Sequence, residues 1–280
     1  MIHKEVPAFR ADLHCHSTCS DGTLSPKEIV DLAKSLGLSG LSITDHDTIC
    51  AYKSSLPYAG EIGIKMISGV EFSTEHKGVS VHILGYSFSL KNPAVHEFCL
   101  KHKERREKRC LAILELLRLH QMPILKEEIH SLQPKGNIGR PHIALAMVKK
   151  GYVQSVEKAF TRYLGDGRPC YVKGEAFSVE ESIDLIHQAN GIAVIAHPHL
   201  IKPPAILNDL LNMDFDGLEG YYASIGSRTH VDWIELAKKR NWIVTGGSDF
   251  HGEIKPNHAL GSSWVGQEVF DRLHDHFLSA

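Results

Sequence analysis

Residues 64–86, IKMISGVEFSTEHKGVSVHILGY, decide the fold class of this chain because they place two β-rich runs close together. The runs 64–72 and 79–86 are predicted strands, and the polar link between them, 73–78, is short. Parallel neighbours in a sheet need a crossover of about a dozen residues or more, which is usually a helix. The sequence therefore predicts that a regular alternation of strands and helices is broken at this point.

Elsewhere, β-rich runs alternate with stretches of helical periodicity, a pattern that favours parallel βα units. Predicted helices include one from Pro26 to Leu36, with Gly37 as its stop, and others at 178–189, 228–240 and 267–278. The predicted strands are 10–14, 41–44, 64–72, 79–86, 191–198, 216–222 and 242–251. Seven strands in this order indicate an α/β barrel, and the short link makes it a distorted one.

A mostly helical insertion interrupts this alternation after the fourth strand. Its first part, 94–120, is predicted as one long helix that ends before Pro123. The apolar positions that we expect to pack along this helix are Phe98, Leu111, Leu114 and Leu117. The chain is thus predicted to consist of a barrel formed by 1–91 and 176–280 and a helical insertion formed by 92–175.

The composition is that of an ordinary globular protein. In 280 residues the net charge is −2, so bulk electrostatics require neither a membrane nor a stable nucleic-acid complex. No apolar run approaches the ~20 residues that span a bilayer, and the N-terminus lacks the apolar segment of a secretory signal. The six cysteines are scattered, and we expect them to be reduced thiols in a cytoplasmic protein.

Histidine is unusually abundant, with 19 in the chain, and several of these residues follow predicted strands. In the first strand, His14 and His16 are two residues apart, so both imidazoles point to the same side. Histidine or carboxylate residues stand in or just after most of the other strands: His46, Glu71, His82, His197, Asp249 and His251. Active sites of α/β barrels are built where the strands end, so this placement predicts a functional site.

The residue types at these positions predict a metal centre. Imidazoles mixed with carboxylates, with Cys15 as the one nearby thiol, suit Zn²⁺, Mn²⁺ or Fe²⁺ at a catalytic site, whereas structural zinc usually recruits thiolates. The set is too large for one ion. Two or three cations about 3.5–4 Å apart would clamp a phosphoryl group and activate a water molecule.

Six ordered motifs together resemble the PHP (polymerase and histidinol phosphatase) family of metal-dependent phosphoesterases. They are DLHCHSTCSDG at 12–22, ITDHDT at 43–48, GVEFS at 69–73, HILGY at 82–86, AHP at 196–198 and GSDFHG at 247–252. The resemblance implies a distorted, TIM-like (β/α)7 barrel with a centre of two or three divalent cations. Mn²⁺ is the expected ion, with Zn²⁺, Fe²⁺ or Mg²⁺ as alternatives.

The resemblance also implies a ligand set. A first cation would be held by His14, His16, Glu71 and Asp249, a second by Asp21, His46 and His251, and a third by Glu71, His82 and His197. Some family members have a histidine where this chain has Asp21, which would change the second site. The residues expected to be essential for catalysis are His14, His16, Glu71, His197 and Asp249.

Within the family, the helical insertion resembles that of small stand-alone enzymes, through the segments NIGRPHIALAMVKKGYV at 137–153 and YLGDGRPCYV at 163–172. In those enzymes the arginine of the GRPH segment, here Arg140, binds substrate phosphate. The implied activity is removal of the 3′-phosphate from nucleoside 3′,5′-bisphosphates, such as adenosine 3′,5′-bisphosphate, by metal-activated water. The alternative is 5′–3′ exonuclease activity on short 5′-phosphorylated oligoribonucleotides.

Other possibilities stay open at the level of sequence. A histidinol-phosphate-type phosphatase, a metal-dependent amidohydrolase or a non-catalytic metal-binding PHP module would share part of the motif set. The basic run KHKERREKR at 101–109 is either a solvated helix face or, if Arg105, Arg106 or Arg109 faces the site, an attractor for a polyanionic substrate. This run has no aromatic platform that would support extended single-strand binding.

Overall fold

The computed structural model describes residues 8–132, 136–175, 177–224 and 227–280, and it shows a mixed α/β fold. The N-terminal segment, for which the sequence predicts no secretory signal, lies largely outside these residues. Within the described ranges the strands form two sheets. The strands are β1 (Ala11–Asp12), β2 (Gly40–Leu41), β3 (Lys65–Met66), β4 (Gly69–His76), β5 (Val79–Tyr86), β6 (Phe177–Ser178), β7 (Ile192–Ile195), β8 (Gly217–Tyr222) and β9 (Ile243–Gly247).

The smaller sheet is parallel, in the order β1-β2-β3, and the larger has the order β6-β4-β5-β7-β8-β9. Isolated bridges connect the two sheets, one between Cys15 and Phe250 and another between His46 and Glu71. The strand pairing of the described residues does not define a closed sheet. The α/β class of the prediction is therefore confirmed, and the complete barrel stays a prediction.

The segment 64–86 forms two strands before the link rather than the single predicted strand 64–72. The chain changes sheets at Ile67 and Ser68, because β3 pairs with β2 whereas β4 pairs with β5. β4 and β5 form an antiparallel hairpin whose turn residues, Lys77 and Gly78, both have positive φ, at 48° and 86°. Two consecutive residues with positive φ are typical of tight hairpin turns. The break predicted in the βα alternation is therefore this hairpin.

The helices cover the sheets and build the insertion. α1 begins at Pro26, after a capping box in which Ser25 and Glu28 satisfy each other's backbone N–H groups. The helices are α1 (Pro26–Ser35), α2 (Tyr52–Ile62), α3 (Pro93–Leu119), α4 (Lys126–Leu132), α5 (Arg140–Lys149), α6 (Val156–Ala159), α7 (Val179–Gln188), α8 (Pro204–Leu210), α9 (Ser227–Arg240) and α10 (Gln267–Ser279).

The long helix α3 joins the sheet region to the insertion. Near its start, Val95 packs into the apolar core around the sheets. Further along, Leu114 and Leu117 pack into a separate apolar cluster of the insertion. The prediction that Leu111 packs in the same way is wrong, because its side chain is 48% exposed. Leu111 lies about 100° around the helix from the buried Cys110 and so faces solvent.

The prediction of six reduced thiols is wrong for one pair, since Cys19 and Cys50 are joined as a disulfide. The loops that follow β1 and β2 bring their Cα atoms to 6.3 Å, within the range that a disulfide spans, although 31 positions separate them in the chain. The cysteines at 15, 99, 110 and 170 are free. Among the described residues, no helix combines the length and apolarity needed to cross a bilayer.

Candidate metal centre

The segment after β1 carries two imidazoles into the interior between the sheets. The backbone of His14 accepts a hydrogen bond from the N–H of Asp249, and the N–H of His16 donates to the carbonyl of Phe250, each at 2.8 Å. Because side chains alternate in extended backbone, His14 and His16 point into the cluster while Cys15 points away, toward the Ser42 carbonyl. This alternation explains the two-residue spacing of the histidines.

Glu71 lies at the centre of the cluster and is fully buried on β4. Its Oε2 faces three imidazoles and its Oε1 faces two more. The nitrogens within 3.3 Å of these oxygens belong to His14, His16, His46, His82 and His197. A carboxylate surrounded in this way could bridge neighbouring cations.

Three groups of side chains bring one ligand atom each within 4.8 Å of one another. The first group has the same members as the first predicted site. The second has the predicted residues and also His16, and the third contains His46 where the prediction had His197, although His197 Nε2 lies 2.9 Å from Glu71 Oε1. The groups are His14, His16, Glu71 and Asp249; His16, Asp21, His46 and His251; and His46, Glu71 and His82.

Several buried polar atoms in these groups suit a cation better than any protein partner. His16 Nε2, Asp21 Oδ1 and His46 Nδ1 are buried and have no hydrogen-bond partner among the described residues. Buried polar atoms are normally satisfied, so three such atoms in one place are informative. Imidazole nitrogens and carboxylate oxygens without thiolates are ligands that suit Mn²⁺, Zn²⁺ or Fe²⁺. The residues present therefore fit divalent cations.

The carboxylates of the cluster are held in their charged form. Burial alone would raise the pKa of Glu71, but the imidazoles of His46, His82 and His14 outweigh it and hold that pKa well below its usual range. Burial likewise opposes ionisation of Asp249, and Lys255 together with nearby histidines lowers its pKa well below the ordinary value. Charged carboxylates are the forms that bind cations.

Two imidazoles of the cluster, those of His46 and His16, have pKa values shifted in opposite directions. Burial lowers the pKa of His46 to about 3, so this ring is charged only in acid, and at neutral pH it is neutral and can donate a lone pair to a cation. Burial also opposes protonation of His16, but the nearby carboxylates of Asp249 and Glu71 outweigh it and raise its pKa to about 9. Cation binding at His16 must therefore displace a proton, and cation affinity is expected to fall as the pH is lowered.

A family model for the PHP domain matches residues 12–165, which is more than half of the chain. This chain belongs to the PHP domain family. It is 41% identical over 86% of its length to a 5′–3′ exoribonuclease of Haemophilus influenzae, 89% of which is covered. It is 30% identical over 89% of its length to a 3′,5′-nucleoside bisphosphate phosphatase of Chromobacterium violaceum, 90% of which is covered.

A solved structure from Bifidobacterium adolescentis, assigned as a candidate metal-dependent phosphoesterase, superposes on this PHP protein with a TM-score of 0.87. The match covers 97% of this chain and 98% of the other, with 29% identity. The prediction of a metal-dependent phosphoester hydrolase is thus confirmed at the level of enzyme class. The resemblance stated from the six motifs is confirmed as well.

Glu219 is a residue of this PHP centre that the sequence did not reveal. It is fully buried on β8, its Oε1 lies 2.8 Å from His14 Nδ1, and its Oε2 accepts a hydrogen bond from the backbone N–H of His197. A carboxylate on one ring nitrogen fixes the tautomer and leaves the other nitrogen free for a cation. The strand sequence DGLEGYY gave no signal for this role, because an isolated Glu in a strand is equally compatible with a solvated side chain.

The Glu219→Gln variant is expected to bind Mn²⁺ about 10- to 100-fold more weakly than the unchanged protein, as is usual when an outer partner of a metal ligand is lost. Gln keeps the size of the side chain but removes the charge that orients His14. Titration calorimetry with Mn²⁺ measures the change, and Glu235→Gln on the exposed side of α9 is the control. Equal affinity in the Glu219 and control variants would show that Glu219 does not orient His14.

An open cleft of about 230 Å³ adjoins the cluster, with His46 and His82 in its wall. α3 contributes Arg105, Arg106 and Arg109 to the same cleft, and the insertion adds Arg140. For these three α3 arginines the structure favours the second sequence interpretation, in which the basic run faces the site. Arg105 and Arg109, at the spacing i, i+4, lie on the same side of the helix, and Arg106 lies about 100° around the axis from Arg105 and about 60° from Arg109.

The guanidinium groups of this cleft differ in how fully they are paired. Arg106 is bound to Asp47 Oδ2 through Nε at 2.6 Å and also donates to Ser73 Oγ at 2.9 Å. Arg109 donates its Nε to the Val172 carbonyl at 2.7 Å. Burial and the neighbouring charge of Arg140 lower the pKa of Arg109 to about 10. Two guanidinium groups that repel each other in a cleft form a suitable site for an anion.

Proposed function

We propose that this protein hydrolyses a phosphate ester of nucleotides that carry a 5′-phosphate. The first substrate class is nucleoside 3′,5′-bisphosphates, from which the 3′-phosphate would be removed. The observation that carries the proposal is that cluster residues and arginines line the same cleft. They are His46 and His82 of the cluster, and Arg105, Arg106, Arg109 and Arg140. A nucleotide with phosphates at both ends offers one phosphate to the cluster and one to the arginines.

The nine predicted ligands would hold two or three divalent cations, and we propose Mn²⁺ as the ion. Such cations supply Lewis acidity and activate water for attack on phosphorus. Glu71 would be shared between sites, since it belongs to two of the three ligand groups. The ligands are His14, His16, Asp21, His46, Glu71, His82, His197, Asp249 and His251.

The arginines would bind and orient the distal phosphate. The Nη groups of Arg109 make no hydrogen bond to the described residues. In Arg140, one Nη donates to the Leu164 carbonyl at 3.3 Å and to Asp166 at 3.1 Å. Asp166 is 74% exposed, so a phosphate could replace this weak, solvent-screened contact at little cost. A guanidinium fork matches two phosphate oxygens at once. Arg106 would instead fix the cleft wall, because Asp47 already occupies it.

Two aromatic rings lie beside the guanidinium group of Arg140. The guanidinium of Arg140 lies 5.7 Å from the ring centre of Phe160 and 5.5 Å from that of Tyr171, and all three line the cleft. An aromatic ring attracts a guanidinium electrostatically without neutralising its charge. The rings would thereby restrict Arg140 to orientations that face the cleft.

A second candidate activity is removal of nucleotides from the 5′ end of short oligoribonucleotides. The 41% identity to the exoribonuclease of Haemophilus influenzae favours it. A neighbouring groove shares Arg105 and Glu175 with the cleft, but Glu104 and Glu181 line it beside Lys101 and Lys108, so it is not a basic path for a longer chain. Both activities place a 5′-phosphate on the arginines and a phosphoester at the cations.

We propose two further features of the fold on the same basis. The bridges at Cys15 and His46 would close the two sheets into the distorted barrel that the sequence predicts. Residues 92–175 would form the inserted unit, which has its own apolar cluster and contributes Arg140 to the cleft. The cytoplasmic location predicted from the sequence stays a prediction.

Hydrolysis of adenosine 3′,5′-bisphosphate and of a 5′-phosphorylated trinucleotide, measured side by side with Mn²⁺, tests the proposal. The matched controls are adenosine 3′-phosphate and the same trinucleotide with a 5′-hydroxyl. We expect both substrates that carry a 5′-phosphate to be cleaved and both controls, which lack it, to be cleaved much more slowly. Absence of turnover on all four compounds would refute a nucleotide substrate.

A further inference from the structure

The two carboxylate oxygens of Asp249 have different surroundings. Oδ2 accepts a hydrogen bond from the hydroxyl of Tyr222 at 2.5 Å and another from Lys255 Nζ at 2.7 Å. Oδ1 faces the cluster instead, 3.5 Å from His14 Nε2 and 3.4 Å from His16 Nε2. The chain's own donors therefore occupy one oxygen and leave the other to the cluster.

The different surroundings of the two Asp249 oxygens depend on the positions of Asp249, Tyr222 and Lys255 in the fold. Asp249 follows β9 in a left-handed backbone conformation with φ of 52°, which few non-glycine residues adopt. Tyr222 is the last residue of β8, and Lys255 follows the short 3-10 helix Gly252–Ile254. Asp249 and Tyr222 are both buried, at 3% exposure each, so solvent offers Oδ2 no alternative partner of equal quality.

We propose that Tyr222 and Lys255 are positioning residues that hold Asp249 as a single-oxygen ligand. The proposal rests on the proposed cation site, and it adds how one ligand of that site is oriented. A carboxylate can bind a cation through one oxygen or through both. Binding through both oxygens would require Oδ2 to give up two strong hydrogen bonds, one of them to a charged donor. The geometry thus selects Oδ1.

The two donors differ in a way that makes the proposal testable. Both orient Oδ2, but Lys255 also places a positive charge beside the cation site, and that charge weakens cation binding by repulsion. Tyr222 contributes orientation without charge. Loss of the tyrosine hydroxyl should therefore weaken cation binding more than loss of the lysine ammonium group does, since the second change also removes a repulsion.

Mn²⁺ binding to the full chain, stripped of metal and followed by the electron paramagnetic resonance signal of free Mn²⁺, provides the test. We expect Tyr222→Phe to weaken one class of bound ion about tenfold or more, the usual effect of losing an outer partner. Lys255→Met should weaken the same class by a smaller factor, and Lys255→Arg should restore it. Tyr221→Phe, on the neighbouring position of β8, is the control.

Unchanged Mn²⁺ affinity in Tyr222→Phe, or tighter binding in Lys255→Met, would overturn the proposal. Melting temperatures of the metal-free variants show whether each one folds, and the lysine variants keep the test informative if the tyrosine variant does not. The readout uses no substrate. A protein that binds Mn²⁺ as expected but cleaves no nucleotide would therefore contradict the proposed function and leave the role of Tyr222 and Lys255 intact.

Discussion

The Glu71→Gln variant is expected to lose at least about a thousandfold in kcat/KM, well beyond the 10- to 100-fold that loss of an outer partner of a metal ligand costs. Glu71 faces five imidazoles and belongs to two of the three ligand groups. Gln has the same shape, but its amide nitrogen would point at a cation or an imidazole. The substitution should therefore impair more than one cation site at once.

The measurement is steady-state hydrolysis of adenosine 3′,5′-bisphosphate, together with the number of Mn²⁺ ions bound per chain. Glu268→Gln, in the exposed first turn of α10, is the control and should behave like the unchanged protein. We expect the Glu71 variant to retain fewer ions per chain. Turnover within tenfold of the control would mean that Glu71 is not a shared ligand.

Replacing Arg109 and Arg140 together by Met is expected to lower kcat/KM for 5′-phosphorylated substrates by at least about a hundredfold. Each guanidinium–phosphate contact is worth about 1.5–3 kcal/mol as a charge-assisted hydrogen bond, which is roughly 10- to 150-fold in binding. Substrates with a 5′-hydroxyl lack the partner group, so their slow cleavage should change little. The double substitution should therefore lower kcat/KM much more for substrates with a 5′-phosphate than for substrates without it.

A cycle of two enzymes and two substrates, with and without the 5′-phosphate, measures this coupling directly. Arg162→Met is the matched control, because Arg162 lies in the same insertion, next to the Tyr163 ring, and does not line the cleft. Equal losses on phosphorylated and unphosphorylated substrates would show that the arginines support the fold rather than bind the phosphate.

The sequence predicted that these histidine and carboxylate side chains meet because side chains of extended backbone alternate between two sides. His14 and His16 share a side since extended backbone alternates, and Asp249 and His251 repeat the same spacing beyond β9. The short link at 73–78 likewise predicted a break in the βα alternation, which the Lys77–Gly78 turn explains. These inferences needed only local spacing and the order of elements.

Features that depend on contacts between distant parts of the chain were missed. Glu219 contacts His14 and Tyr222 contacts Asp249 across 205 and 27 positions of the chain, and nothing local marks either residue. Strand ends were also overextended. The predicted strand 242–251 stops at Gly247, because the residues beyond it turn with positive φ at Asp249 to face the cluster.

Which side of α3 faces the cleft could not be read from its sequence either. Its charges occur on most faces, and only packing decides that Arg105, Arg106 and Arg109 point inward. The Asp47 carboxylate, which follows β2, fixes this rotation through its pairing with Arg106. Exposure of Leu111 is a consequence of the same rotation.

Anomalous diffraction from crystals of the full chain soaked in Mn²⁺ tests most directly whether side chains from distant segments share cations. We expect two or three anomalous peaks within coordination distance of Glu71 and its imidazole neighbours, with Asp249 Oδ1 as the nearer of its two oxygens. Crystals that diffract well but show no peak among these side chains would contradict the metal centre and, with it, the proposed phosphoester chemistry.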